Sequence, residues 1–123
     1  FDETVEFRGL AVVSPDPRMY PPPMHPNPIE YGVAKAGIIQ MARYLAAHYG
    51  PRNIRVNAIA PGPFPNLPQQ ENHAFMERLD ERTMLGRIGR QGEIAGSVVY
   101  LLADASSYVT GQVLRVDGGW TAW

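Results

Sequence analysis

Apolar residues recur along the chain in blocks whose spacing alternates between that of helices and that of strands. The longest block, Ile29 to Tyr49, contains alanines and long aliphatic residues without proline and ends at Gly50-Pro51. This pattern predicts a helix. The Ile- and Val-rich run from Ile54 to Ala60 stops at Pro61, which predicts a strand. The chain thus passes from a long helix directly into a buried strand.

Two further helices and one further strand are predicted downstream. The block from Glu71 to Thr83 predicts a helix with Phe75 and Leu79 on its inner face. A stronger helical pattern covers Glu93 to Ala103, and a last strand covers Gln112 to Val116. The inward positions expected for the helix at 93–103 are Ile94, Val98, Leu101 and Leu102.

Upstream of the long helix, an apolar run gives way to dense proline. The run from Gly9 to Ser14 is a candidate for one short buried strand. Each proline fixes its own φ and biases its predecessor towards extended conformations, so the stretch at 15–28 is predicted to be a loop feeding the helix. A proline-rich recognition ligand is the alternative. The prolines concerned are Pro15, Pro17, Pro21, Pro22, Pro23, Pro26 and Pro28.

The order helix, strand, loop, helix, strand predicts an α/β layered fold with parallel strands. Residues 1–123 are expected to form a single partial domain, because two or three strands make a small sheet. The long helix is apolar around much of its girth, so it is expected to be buried or to pack against a partner subunit. Its apolar positions are Val33, Ala34, Gly37, Ile38, Met41, Ala42, Tyr44 and Leu45.

Composition excludes several classes of protein. The net charge of −1 gives no reason to expect a nucleic-acid or anionic-membrane partner, and the absence of cysteine excludes a disulfide framework. No apolar run has the length of a membrane span and the N-terminus is acidic, which favours a cytoplasmic protein. The first residue is Phe1, which suggests a fragment or a processed chain. His25, His48 and His73 lack metal-ligand spacing, so no metal site is expected.

One pair of residues suggests chemistry. In Tyr31-Gly-Val-Ala-Lys35 the two polar side chains are four residues apart, which places them on one helix face. A free phenol has a pKa of about 10. A neighbouring ammonium group stabilises the phenolate, and so favours proton transfer. The alternative is a chance spacing, with the tyrosine at the edge of the core and the lysine extended to solvent.

Three motifs resemble, in their order and spacing, those of a known protein family. They are the Tyr31–Lys35 pair, the strand Arg55-Val-Asn-Ala-Ile-Ala-Pro-Gly62, and the stretch from Ser107 to Gly119. Together they resemble the C-terminal half of the short-chain dehydrogenase/reductase family, from about Val12 to Trp123. The resemblance implies the C-terminal part of a Rossmann-like, parallel-sheet, three-layer fold. It also implies an oxidoreductase that interconverts a secondary alcohol and a ketone with NAD or NADP.

The resemblance also implies roles for individual residues. Tyr31 would be the general acid/base, and Lys35 would tune it and bind the nicotinamide ribose. Backbone groups after Pro61-Gly62, at Phe64, would hold the nicotinamide carboxamide. Asn66 stands where the family often has a threonine that contacts the pyrophosphate. The segment from Leu67 to Arg90, which we call the lid, matches the family's mobile substrate lid.

The catalytic serine of the family has two candidate positions here. Ser14 ends an apolar run and is the only serine upstream of Tyr31. However, the stretch from Val13 to Tyr20 is similar to the loop that follows the catalytic serine in some members. On that alignment the serine position falls near Arg8.

The family's Thr-Gly-x-x-x-Gly-x-Gly turn, which cradles the cofactor pyrophosphate, is absent from these 123 residues. We therefore expect a chain that lacks the N-terminal dinucleotide-binding half and is inactive when isolated. The alternative is a non-catalytic oligomerisation module or pseudoenzyme with the same half-fold. The resemblance implies a homo-oligomer formed through the Tyr31–Lys35 helix and the C-terminus, where Trp120 and Trp123 lie.

Overall fold

Three parallel strands form the sheet in the part of the chain that the structure describes. The computed structural model describes the backbone of residues 3–6 and the whole of residues 16–122. The strands are β1 (Glu3–Glu6), β2 (Val56–Pro61) and β3 (Val113–Val116), in the order β1-β2-β3. In the register, Glu3 pairs with Val56 and Ala58 pairs with Val113. β2 is therefore the central strand, and all three carboxyl ends lie at the same edge of the sheet.

Four α-helices lie within residues 16–122. They are α1 (Ile29–Tyr49), α2 (Leu67–Gln70), α3 (His73–Arg82) and α4 (Gln91–Leu102). The bounds of α1 are those predicted from the sequence, because Pro28 precedes the helix and Gly50-Pro51 ends it. None of the described helices has the length and apolarity that crossing a membrane requires.

Successive side chains of β2 point to opposite faces of the sheet, and each face is covered by a helix. Val56 and Ala58 pack with Ala42 and Ala46 of α1 in one core cluster. α4 contacts all three strands and covers the opposite face, to which Ile59 points. Helices therefore cover both sides of the sheet, which confirms the predicted three-layer α/β arrangement.

Two polar side chains of the strand region lock β3 against β2. The amide nitrogen of buried Asn57 donates to the Val109 carbonyl (2.8 Å), and its amide oxygen accepts from the Gln112 backbone N–H (3.0 Å). The Arg55 guanidinium donates to the carbonyls of Leu101 (2.7 Å) and Val109 (3.1 Å). These bonds hold the loop that enters β3 and set where that strand begins.

The helix predicted over 71–83 is α3, which is slightly shorter than predicted. The short helix α2 precedes it and was not predicted, and Glu71 and Asn72 separate the two. The side chain of Asn66 caps α2 and that of Asn72 caps α3. Phe75 and Leu79 are buried as predicted.

α1 is buried on one side only, and one of the inward positions predicted for α4 is wrong. Only Ala42 and Ala46 of α1 are buried, while Val33 is 67% and Tyr44 72% exposed. Leu102 of α4 was expected to point inward but is 47% exposed, whereas Leu101 is buried. The predicted strand at 9–14 and Ser14 lie outside the described residues, and the first described strand is β1.

Substitution Asn57→Ala is expected to lower the free energy of unfolding by about 1–3 kcal/mol, because it removes both hydrogen bonds through which the buried Asn57 side chain holds the loop that enters β3. Urea denaturation of the two proteins measures the difference. Asn27→Ala, at an exposed loop position, serves as the control and should change stability little. Equal stability of the Asn57→Ala variant and the parent would contradict the locking role.

Candidate functional site

The Tyr31–Lys35 pair lies in the first two turns of α1. The backbone N–H of Tyr31 donates to the Pro28 carbonyl (3.0 Å), which fixes the start of the helix. Both side chains are partly buried, and the Lys35 Nζ lies 5.3 Å from the centroid of the Tyr31 ring. The structure thus brings the two residues into the contact that their spacing predicted, with the cation over the aromatic face.

Helix geometry places this pair beyond the carboxyl end of the sheet. α1 runs antiparallel to β2, and Ala42 packs in the same cluster as Ala58. From Ala42 back to Tyr31 the helix rises about 16 Å. From Ala58 to Pro61 the strand advances only about 10 Å. Tyr31 therefore lies at the edge where open parallel sheets bind their ligands.

The Pro61-Gly62 step occupies the same edge and lies directly against the end of β3. The backbone N–H of Gly62 donates to the Val116 carbonyl (3.0 Å). A Cβ added at Gly62 would lie 2.5 Å from the Asp117 Cα, so only glycine lets the two backbones approach this closely. Gly62 is thus needed for the close packing of the two strand ends.

Phe64 follows this step and is held by the loop after the lid helices. The Pro63 carbonyl accepts from the Gly89 N–H (3.0 Å), and a Cβ at Gly89 would lie 2.2 Å from the Phe64 ring. A cavity of about 100 Å³ is lined by Phe64 together with Val116 and Gly118. Within residues 16–122, neither backbone group of Phe64 has a hydrogen-bond partner. Both groups are therefore available to a ligand.

Asp117 organises the turn that follows β3, a role that the sequence analysis missed. Its carboxylate accepts from the Thr121 hydroxyl (2.7 Å), the Thr121 N–H (3.0 Å) and the Gly119 N–H (2.9 Å). Burial raises the pKa of Asp117, but these hydrogen bonds outweigh burial and the net pKa is lowered. Gly118 and Gly119 have φ of 62° and 87°, a conformation that favours glycine. The sequence signal that could have revealed this role is an Asp directly before Gly-Gly.

An ion pair joins Arg87, near the end of the lid, to Glu93 in α4. Arg87 donates two hydrogen bonds to Glu93 (2.7 and 2.9 Å), and the backbone N–H of Arg90 donates a third (2.8 Å). The hydrogen bonds from Arg87 are the main reason that the pKa of Glu93 is lowered to about 2. When it is ionised, the Glu93 carboxylate therefore holds this loop in place.

The lid helix α3 docks on the loop at residues 16–24 through an apolar cluster. Met19 is buried between Phe75 and Leu79 of α3. Partly buried side chains surround these three, namely Tyr20, Met24, Met76, Ile88 and Trp120. Trp120, in the C-terminal segment through which a homo-oligomer is expected, packs within the chain, with the Arg82 guanidinium 5.6 Å from its ring.

Polar contacts join the same loop to the lid. Arg78 Nη1 donates to the Arg18 carbonyl (2.7 Å), and Arg82 lies 3.5 Å from Asp16. The hydrogen bonds from Arg18 are the main reason that the pKa of Asp16 is lowered to about 2. Loop and lid are therefore connected by both apolar packing and charge.

The remaining predicted site residues either serve local structure or lie outside the described residues. The Asn66 side chain accepts from the Gln69 N–H (3.0 Å) as a helix cap, so it is committed to local structure. Ser14 and Arg8, the two candidate positions for the serine, lie outside the described residues. Among residues that the structure describes, no three His, Cys, Asp or Glu side chains are grouped to hold a metal ion.

Comparison with protein families gives one family model. Residues 23–121 match the model described as enoyl-(acyl carrier protein) reductase. The chain is 40% identical over 104 residues to a 2-keto-3-deoxy-L-fuconate dehydrogenase of Xanthomonas campestris, covering 78% of this chain and 35% of that protein. It is 43% identical over 97 residues to a 3-oxoacyl-[acyl-carrier-protein] reductase of Thermotoga maritima, covering 77% of this chain and 39% of that one. The chain thus spans little more than a third of the length of these relatives.

Solved structures share the fold. A short-chain dehydrogenase from Leptospira borgpetersenii with bound NAD⁺ superposes with a TM-score of 0.81 at 37% identity, over 96% of this chain and 44% of that one. A gluconate 5-dehydrogenase from Burkholderia cenocepacia, in complex with NADP and tartrate, gives 0.79 at 26% identity, over 99% of this chain and 46% of that one.

Glu93 predicts a loss of stability in acid. Its pKa is about 2 in the folded protein against an ordinary value of 4.5, so its contribution is present above pH 4.5 and is lost as the pH falls towards 2. Thermal melting from pH 6 to 2 should therefore show a smaller decline for Glu93→Gln than for the parent. Glu77→Gln, at an exposed position of α3, is the control and should follow the parent. Parallel declines for all three proteins would contradict the role of Glu93.

Proposed function

Because the chain belongs to the short-chain dehydrogenase/reductase family, we propose that it carries the proton-transfer site of an NAD(P)-dependent oxidoreductase. The reaction is the interconversion of a secondary alcohol and a ketone. The observation that carries this proposal is the Lys35 Nζ 5.3 Å from the Tyr31 ring at the carboxyl edge of the sheet. The bound NAD⁺ and NADP of the two similar structures support the choice of cofactor class.

Tyr31 is the group that moves the proton. When bound, the nicotinamide dinucleotide supplies or accepts a hydride at the substrate carbon. In the reducing direction the Tyr31 hydroxyl donates its proton to the carbonyl oxygen, and in the oxidising direction the phenolate accepts the alcohol proton. The Lys35 ammonium, one helical turn away, offsets the negative charge that develops on the Tyr31 oxygen. The pair can therefore run the reaction in both directions.

The residues after β2 fit the nicotinamide end of the cofactor. A carboxamide has one acceptor and two donor hydrogens, and Phe64 offers an N–H and a carbonyl without other partners among the described residues. Gly62 keeps the backbone close to the sheet edge, which leaves room in front of it. Lys35 supplies donors for the ribose hydroxyls. These contacts cover one end of the dinucleotide only.

The other end of the dinucleotide has no counterpart in the sequence. The 123 residues contain no Gly-rich turn for the pyrophosphate, and the chain spans 35% and 39% of the two curated relatives. We therefore propose that these residues on their own bind the cofactor weakly and are inactive. Titration with NADH and NADPH, followed by energy transfer from tryptophan to the reduced nicotinamide, measures this affinity.

Substitution Tyr31→Phe is expected to lower kcat/KM for ketone reduction by about 100- to 10,000-fold, in any preparation of the protein that turns over. The fold should be spared, because only the hydroxyl is removed, and the melting temperature checks this. Tyr44→Phe removes an exposed phenol from the same helix and should leave kcat/KM unchanged. Full activity of the Tyr31→Phe variant would refute the assigned role.

The outer face of α1 favours a second candidate function, a non-catalytic oligomerisation module. Ile29, Val33 and Tyr44 are 79%, 67% and 72% exposed, an unusual concentration of apolar surface on one helix. We propose that this face mediates self-association. A defined oligomer without affinity for dinucleotide would favour the module over the enzyme.

Substitution Val33→Glu is expected to shift the protein towards the monomer, because it places a charge in the proposed contact. Sedimentation velocity over a range of concentrations measures this shift. Ala74→Glu adds the same charge at an exposed position of α3 and should leave the association unchanged. If the parent protein is monomeric at all concentrations tested, the proposed interface is wrong.

A further inference from the structure

The turn at residues 117–122, which we call the β3 turn, contacts the end of the lid. The Gly118 carbonyl accepts a hydrogen bond from the Leu85 N–H (3.1 Å). A Cβ added at Gly119 would lie 2.6 Å from the Met84 side chain, so the backbone of the turn lies directly against the lid. The position of the turn therefore decides where the lid ends.

The β3 turn also lies against the backbone that leaves β2. A Cβ at Gly62 would lie 2.5 Å from the Asp117 Cα. One residue later, the Pro63 carbonyl accepts from the N–H of Gly89 in the lid (3.0 Å). The turn, the backbone after β2 and the end of the lid thus form a closed ring of contacts. All three segments line the cavity of about 100 Å³.

The Asp117 carboxylate shapes the β3 turn with both of its oxygens. One oxygen accepts from the Gly119 N–H (2.9 Å), and the other accepts from the N–H and the hydroxyl of Thr121 (3.0 and 2.7 Å). An amide side chain has a single acceptor oxygen, so it cannot make the same set of bonds. The position therefore requires a carboxylate.

The carboxylate acts on the lid through one peptide group. The Gly119 N–H that donates to Asp117 and the Gly118 carbonyl that accepts from Leu85 belong to the same planar peptide unit. Fixing the N–H therefore fixes the direction of the carbonyl. Both glycines have positive φ and wide conformational freedom, so this peptide unit can rotate when the carboxylate releases it.

We propose that Asp117 is a positioning residue, whose carboxylate aims the Gly118 carbonyl at the lid and thereby holds the lid and the Phe64 backbone in a fixed relative position. The inference rests on the proposed function, in which Phe64 contacts the nicotinamide. Asp117 touches neither cofactor nor substrate in this role. Because the contacts form a ring, loss of the bond to Leu85 also loosens the contact of the lid with Pro63.

Hydrogen exchange of single amides tests the proposal without ligand or turnover. In the ¹⁵N-labelled chain, the amides of Leu85 and Gly89 report the two lid contacts, and the amide of Ala58, which donates to the Gln112 carbonyl, reports the sheet. In Asp117→Asn, exchange at both lid amides should be roughly 10- to 100-fold faster, as for one hydrogen bond to a charged group. Exchange at Ala58 should be unchanged.

A matched pair of variants at Thr121 separates the hydrogen bond from packing. Thr121→Val removes the hydroxyl that donates to Asp117 and should also speed exchange at Leu85 and Gly89. Thr121→Ser keeps the hydroxyl and should exchange at the rates of the parent. Ser107→Ala removes an exposed hydroxyl elsewhere and should likewise match the parent. This pair decides the question even if Asp117→Asn does not fold.

Parental exchange rates at Leu85 and Gly89 in the variants would overturn the proposal. So would faster exchange at only one of these amides, or an equal acceleration at Ala58, which would mean a general loss of stability. Failure of the proposed function is instead read from full activity in Tyr31→Phe. Where turnover is measurable, Asp117→Asn should raise KM for NADH with little change in kcat, and a fall in kcat at unchanged KM would contradict the positioning role.

Discussion

Burial of β2 on both faces is the constraint on which the rest of the structure depends. Residues Val56 to Ile59 are at most 2% exposed, and a parallel strand in this position needs cover above and below. α1 supplies one cover and α4 the other, and Asn57 fixes β3 beside the strand. Because α1 is placed by this burial, its first turn, with Tyr31, lies at the edge where β2 ends. The packing of the core therefore decides where the candidate site lies.

The docking of the lid depends more on apolar packing than on charge. The ion pair between Arg82 and Asp16 joins the lid to the loop through an exposed guanidinium group, and ion pairs at a protein surface contribute little to stability. Burial of a single large apolar side chain such as Phe75 contributes about 1.5–3 kcal/mol. The charges orient the lid, whereas the apolar cluster holds it. Tyr20 belongs to this cluster, where its ring packs against that of Phe75.

α1 has two apolar faces, one buried against the sheet and one exposed. Its small residues, Ala42 and Ala46, let the helix approach the sheet closely, and they carry the burial. Its larger apolar residues, among them Val33 and Tyr44, point away from the sheet. The sequence predicted an apolar helix but did not distinguish these faces, since both are apolar. A helix of this kind joins the Tyr31–Lys35 pair, a core contact and an open surface within 21 residues.

The sequence by itself determined the elements and the motif pairs, because these depend on neighbours along the chain. Proline positions predict the bounds of α1, and the apolar period predicts the inward positions Phe75 and Leu79. The spacing of Tyr31 and Lys35 predicts their contact. The capping of α2 by Asn66 is equally local, but it was not predicted. Only the tertiary structure decided which face of α1 is buried and that Trp120 packs on the lid. It alone placed Tyr20 against Phe75, because such contacts join segments that no local pattern relates.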